Sequence, residues 1–234
     1  MKNTGHISQR RAAFTLIELI IVIAIIGILA SLIFPIAGVV NRKKQISTAQ
    51  TQLKALETAI DGYKTKLGYY PPDNTNNPAI NPLYFELMGT TNNGAGAAKP
   101  PNTWVTIDGS AQIDSVTPPN TISQVFGVTG FANTSTRAHS DDEGAAASSF
   151  LKNLTANEIG TIDPKFPNIK ILVCSVPWPA DRSALVSNNP PMNPFQYNSS
   201  HPTNNTGSYD LWVDLIIGGK TNRVCNWSTQ PIRL

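Results

Sequence analysis

Cysteine, histidine and charge are all scarce in this sequence. Two cysteines among 234 residues exclude a disulfide-dense scaffold, and a chain of this length can bury a core that needs no staples, with room left for an extension. The three histidines, His6, His139 and His201, stand apart from one another and supply no paired metal-ligand spacing. A Gly-x-Ser-x-Gly nucleophile elbow and a phosphate-binding Gly-x-x-x-x-Gly-Lys loop are also missing, so the sequence reads as a non-enzyme with no cofactor and no metal. Strong basic charge is lacking too. The formal charge is +3, and Lys2, Arg10 and Arg11 all precede Phe14, so the 15 basic side chains after them match 15 acidic ones. A nucleic-acid partner, which requires a net basic surface to displace phosphate counterions, is therefore not expected.

What is abundant lies near the start. From Leu19 to Phe34 the chain is almost continuously apolar, and the run continues weakly to Val40. A secretory signal has an apolar region of only about 7–15 residues. As a helix, Leu19 to Val40 measures about 33 Å, enough for a hydrocarbon core of about 30 Å. The reading is a membrane helix over residues 14–40, with a basic leader, 1–13, on the cytoplasmic side and the rest exported. Arg42, Lys43 and Lys44 follow directly and pull the other way. The leader is weighted more, because about 190 residues lie beyond the span and large domains cross with little regard to charge.

Glu18 sits just inside this run, where an ionisable side chain costs about 2.5–3.5 kcal/mol. No lysine or arginine occurs in the next 23 residues. One resolution is a cut between Ala13 and Phe14, which creates an α-amine four positions before Glu18. The other is a carboxylate solvated at the headgroup boundary.

The stretch "AFTLIELIIVIAIIGILASLIFP" resembles the N-terminus of type IV prepilins and type II secretion pseudopilins: a basic leader, then Gly-Phe-Thr-Leu-x-Glu, then an apolar helix. Phe14, Thr15, Leu16 and Glu18 match, and Gly27 and Pro35 fall where that family has its Gly and Pro. The resemblance implies a prepilin peptidase that cuts before Phe14 and N-methylates it, and a Glu18 paired with the terminal amine of a neighbouring subunit. It also implies assembly with copies of itself or other pilin-like subunits, on an inner-membrane platform driven by an ATPase. The implied location is the bacterial inner membrane, single-pass, with the head in the periplasm or outside, and then the filament. Ala13 departs from the family's Gly, so cleavage is expected to persist with lower efficiency. Two readings of Pro35 stay open, a tolerated kink or, by the resemblance, loss of helix between Gly27 and Pro35 on assembly.

Residues 41–68 continue as an amphipathic helix. Ile46, Ala49, Leu53, Leu56, Ile60, Tyr63 and Leu67 recur at alternating spacings of three and four, and Gly68 with Pro71-Pro72 stops the pattern. The stripe suits either a short coiled coil or, preferred here, docking on a sheet of the same chain. The head, 69–234, holds every proline except Pro35 and reads as loop-rich. Short helices are expected at Asn81–Thr90 and Ala145–Gly160, a buried strand at Asn168–Val176, and a short exposed strand at Pro194–Asn198. Two strands, Ser208–Ile217 and Arg223–Trp227, are expected to flank a glycine turn. The fold class is α+β: a long N-terminal helix packed on a small antiparallel sheet with a loop-rich head.

The tail, "NPFQYNSS…GSYDLWVDLIIGG…CNW", is similar in outline to the major pseudopilin. That relative's calcium loop has no counterpart here, since Gly218–Arg223 carries two cations and no carboxylate. Asp210 and Asp214 read as solvated edge residues. Cys174 and Cys225 are either two buried thiols or a disulfide; closing about 50 residues would stabilise the head by about 3–4 kcal/mol. "HSDDEG" (His139–Gly144) reads as a solvated charge run rather than a cation site, and the four tryptophans as core. Function then divides between a filament subunit and a membrane- or filament-mounted module whose head binds carbohydrate, DNA or exported protein. A plain membrane protein that is never processed is a third reading.

Overall fold

The computed structural model describes residues 15–92, 102–116, 118, 120–136, 146–179 and 191–234, with the side chains of 32–37 outside the description. Ala13, Phe14 and the His139–Gly144 run lie outside the described residues. The chain divides after Lys44 into two compact units. Helix α1, Leu16–Leu67, is continuous in secondary structure through Gly27 and Pro35.

The described part of the N-terminal unit is a single helix. Every large apolar side chain from Leu16 to Leu29 is between 46% and 75% exposed. Among the described residues no helix is long and apolar enough to cross a membrane; the described apolar side chains break off at Ser31 and resume at Gly38. A helix apolar on all its faces is one made to be covered by something outside itself.

In the second unit the expected stripe is the docked face of α1. Ala49, Leu53, Leu56, Ile60 and Tyr63 are buried, and Ile46 and Leu67 are partly buried against the same core. The coiled-coil reading gives way here because the head itself covers the stripe. Gly68, at φ +87°, ends the helix, and its N–H is bonded to the carbonyl of Lys64.

Among the described residues three small sheets make up the rest, where one was expected. The first contains β1 (Thr90–Asn92), β2 (Thr103–Thr106), β3 (Gln112–Asp114) and β4 (Thr134–Thr136) in the order β3-β2-β1-β4, with β4 parallel to β1. α2 (Leu83–Met88) precedes β1 in the chain and α3 (Ile122–Phe126) lies between β3 and β4, and the two helices meet through the edge-on rings of Phe85 and Phe126. The second sheet is β5 (Ile159–Thr161), β6 (Lys170–Cys174) and β7 (Asn193–Pro194). The third is β8 (Gln196–Asn198), β9 (Asp210–Ile217), β10 (Lys220–Cys225) and β11 (Ser228–Arg233), in the order β11-β10-β9-β8. The glycine turn is only Gly218-Gly219. Both have positive φ, the requirement of a two-residue hairpin whose twist matches its strands, and Ile217 pairs directly with Lys220. Leu211, Val213 and Leu215 alternate along one face of β9 into the core they share with α1.

Several expectations are corrected. Residues 146–154 form an extended strap rather than a helix, followed by a single 3-10 turn, Ala156–Glu158. Its backbone groups are committed elsewhere: the Phe150 N–H donates to the Leu87 carbonyl, and Asn133 brackets Ser148 through its N–H and its carbonyl. A helix would have to surrender those bonds. The segment around Pro194–Asn198 is not exposed, since Phe195 and Tyr197 are fully buried and the Tyr197 hydroxyl donates to the Pro71 carbonyl at 2.9 Å. Of the two readings of Cys174 and Cys225, the structure has them as two buried thiols.

Candidate assembly site

The first described residues form a closed local motif. The Thr15 N–H donates to Glu18 Oε2 at 2.8 Å, the Thr15 hydroxyl donates to the same oxygen at 2.7 Å, and the Glu18 N–H donates back to Thr15 Oγ1 at 3.4 Å. This is a capping box: a threonine at the helix boundary and a glutamate three residues on satisfy each other's orphan groups. A carboxylate in the first turn also meets the positive end of the helix dipole. Glu18 therefore has a partner before any α-amine exists, which the search for a nearby lysine or arginine missed. The signal was in the sequence as Thr-x-x-Glu ahead of an apolar run. Among the described residues Oε1 accepts no bond.

Leu16 is the most exposed of the apolar side chains in this segment, at 75%, and a side chain added at Gly27 would meet nothing within 4 Å. Among the described residues nothing packs against either position. Thr15, Leu16, Glu18, Gly27 and Pro35 all lie on or at the start of one helix, α1, and Thr15 and Glu18 bond to each other.

Four of the head's described carboxylates, Asp73, Glu86, Asp210 and Asp214, are buried. Asp210 is 2% exposed; its carboxylate accepts the backbone N–H groups of Thr203, Asn204 and Asn205 and the Asn204 side-chain amide. Burial pushes its pKa up, but these bonds together outweigh it and hold the carboxyl below the usual range. Asp214 is also buried and takes the Arg223 guanidinium in a two-pronged pair at 2.8 Å through both Nε and Nη2. Arg223 lies over the Trp212 ring, 5.5 Å from its centre. The expectation of solvated edge carboxylates is corrected on both counts, since each organises a chain segment. Asp73 does the same for the Ser199 and Ser200 N–H groups. Glu86, wholly buried, binds Tyr63 of α1 to the backbone of Ala132 and Asn133. Among the described residues no group of three or more His, Cys, Asp or Glu side chains is gathered as a metal site would need.

The exposed apolar helix opened by the Thr–Glu cap is the part of the chain that resembles pilin-type proteins. The prokaryotic N-terminal methylation motif matches residues 8–34. Type II secretion system core protein G of Escherichia coli is 39% identical over 67 residues, which is 29% of this chain and 46% of that protein. The same protein of Aeromonas hydrophila is 41% identical over 63 residues, 27% and 44% of the two chains. Type IV major pilin protein PilE of Neisseria gonorrhoeae is 42% identical over 62 residues, 26% and 37%. Over these 62 to 67 residues the chain is similar to pilins and pseudopilins, and it spans less than half the length of the curated relatives it matches. No solved structure matches.

Proposed function

We propose that this chain is a structural subunit of a pilus-like filament, either a type IV pilus or a type II secretion pseudopilus, built through the first half of α1. The observation that carries the proposal is the methylation-motif match over residues 8–34, on a helix whose apolar side chains are exposed on every face. On this reading residues 1–13 are a cytoplasmic leader, 14–40 rest in the inner membrane until assembly, 41–68 carry the head, and 69–234 are exported. A prepilin peptidase cuts between Ala13 and Phe14 and methylates the new amine. That amine lies one residue before Thr15, whose hydroxyl and N–H already hold Glu18 Oε2. The unbonded Oε1 then faces a cation that cleavage has just made, on the same chain or on a neighbour, and the pair sets the register of the filament. The platform and ATPase are partners by the same reasoning, and Thr15, Leu16, Gly27 and Pro35 serve assembly. The role is not enzymatic. The names of the relatives lend nothing to a head that binds carbohydrate, DNA or exported protein.

Mass spectrometry of the mature N-terminus tests processing: N-methyl-phenylalanine from Phe14 is expected, and a retained leader would refute it. Glu18→Ala tests the pair. The variant should insert in the membrane as wild type does yet enter filaments poorly; unchanged incorporation would end the register role.

A further inference from the structure

Arg42, Lys43 and Lys44 are the feature that the proposed topology leaves unexplained, because they oppose the leader's charge. All three are exposed, on the helical turn that follows the exposed apolar Val39 and Val40. They are consecutive on α1, so at about 100° per residue they span about 200° of the helix circumference rather than lining one narrow face. Their separation from the Thr15–Glu18 cap is also defined. Glu18 and Lys43 are 25 residues apart along one helix, about 38 Å, against a hydrocarbon core of about 30 Å and about 40–45 Å with its headgroups. A carboxylate cap at one polar interface thus puts the three cations in the headgroup layer of the other.

We propose that Arg42, Lys43 and Lys44 form a basic collar that binds the phosphates of anionic phospholipids on the exported side of the membrane. The inference rests on the membrane reading of residues 14–40 given above. Exposed cations spread over so wide an arc suit a layer that surrounds the helix. A neighbouring protein would approach from one side and would meet one or two of the three cations. The collar's function is to fix the depth of the waiting subunit, with long stems lying along the apolar helix and charged heads at the phosphates. It also resolves the charge conflict, since the two basic clusters grip opposite leaflets and neither has to win. Each cation should favour anionic over zwitterionic lipid by about fivefold at low salt, less at physiological ionic strength.

The test uses the full chain reconstituted in vesicles of phosphatidylcholine containing trace spin-labelled phosphatidylglycerol or spin-labelled phosphatidylcholine. The comparison is with a triple variant, Arg42→Gln, Lys43→Gln and Lys44→Gln, whose positions lie outside the head core. Carbonate-resistant retention in the vesicles is measured first for both proteins. The wild type should then select phosphatidylglycerol severalfold or more, with the selection reduced by salt, and the triple variant should select neither lipid. Retention of both proteins with no lipid selection by the wild type would overturn the collar alone. Equal selection by the variant would do the same, as would loss of filament cross-links in the variant without any lipid effect, which would assign the cations to a second copy. Failure of the wild type to be retained in either vesicle would overturn the membrane reading and the collar together.

Discussion

Replacing Glu86 by glutamine isolates the electrostatic cost carried by the head. The carboxylate has no exposure: Oε1 accepts the Ala132 N–H at 2.9 Å, and Oε2 accepts the Asn133 N–H at 3.0 Å and the Tyr63 hydroxyl at 2.9 Å. Burial is the largest influence and raises its pKa above the ordinary carboxylate range, while the three donors pull it back without cancelling the rise. The folded state therefore binds this proton more tightly than the unfolded chain does. The resulting stabilisation is complete below the unfolded value of about 4.3 and is lost as pH rises through the raised folded pKa. Glutamine carries no such proton. It also turns an amide NH₂ towards a backbone donor, a pH-independent cost of about 1–3 kcal/mol. The stability of E86Q minus that of wild type should start negative in acid and climb with pH, by at most about 1.4 kcal/mol per unit. Urea unfolding of the full chain in detergent micelles, followed by tryptophan fluorescence from about pH 4 to pH 8, measures this difference. A flat difference would mean that folding leaves the Glu86 proton affinity unchanged; a falling one would mean that the donors outweigh burial. Either refutes the argument. Tyr63→Phe supplies a check within the same network. It should cost about 1.5–3 kcal/mol when the acceptor is charged and about 0.5–1.5 kcal/mol in the Glu86→Gln background.

Two further outcomes follow from the interior of the head. Asp210→Ala leaves the Thr203, Asn204 and Asn205 N–H groups without their acceptor and should destabilise by about 2–4 kcal/mol near neutral pH. Because the folded pKa of Asp210 is depressed, that stabilisation is present above the unfolded value of about 3.9 and disappears as pH falls through the folded one, so denaturation curves of the two chains should converge in acid. Burial pushes the Cys174 thiol up to about 11 and raises that of Cys225 as well, so a thiol-specific reagent at neutral pH should leave both unlabelled in the folded chain. In denaturant without reductant it should label both; labelling only after reduction would establish the bridge that the structure lacks.

The parts of the fold that were legible in the sequence are those that repeat. The stripe from Ile46 to Leu67 and the alternation of Leu211, Val213 and Leu215 each commit many residues to one face, and periodicity reports that. The strand at Lys170–Cys174 announces itself as an unbroken apolar run, buried from Ile171 to Cys174. The β1–β4 sheet carries no such signal. Its strands have three or four residues, and its place beside α2 depends on Glu86 reaching the Ala132 and Asn133 N–H groups 46 and 47 residues away in sequence. β11 is similarly silent, because Ser228–Arg233 is an edge strand with no fully buried position. The strap at 146–154 misleads in the other direction. Ala and Leu give it helical composition, but Asn133 and the Leu87 carbonyl claim its backbone, and tertiary demand overrides propensity. Buried Asp, Glu and Asn side chains supplement the short hydrogen-bond ladders of this head, and such pairings have no fixed spacing to read.

At the candidate site, local chemistry was more legible than its meaning. Glu18 in an apolar segment looks like an unmet charge only when the accounting is limited to cations. Once Thr15 is counted, the carboxylate is an acceptor already given two donors by its own helix turn, so its cost in a membrane no longer compels cleavage. What cleavage would change is the free oxygen. Oε2 is held in place by Thr15, which fixes where Oε1 points, and a carboxylate already oriented loses less entropy on meeting an ammonium than a freely rotating one. Thr15 then acts on pairing through Glu18. On the proposed function, replacing Thr15 should weaken the register pair even though its own side chain never meets the amine.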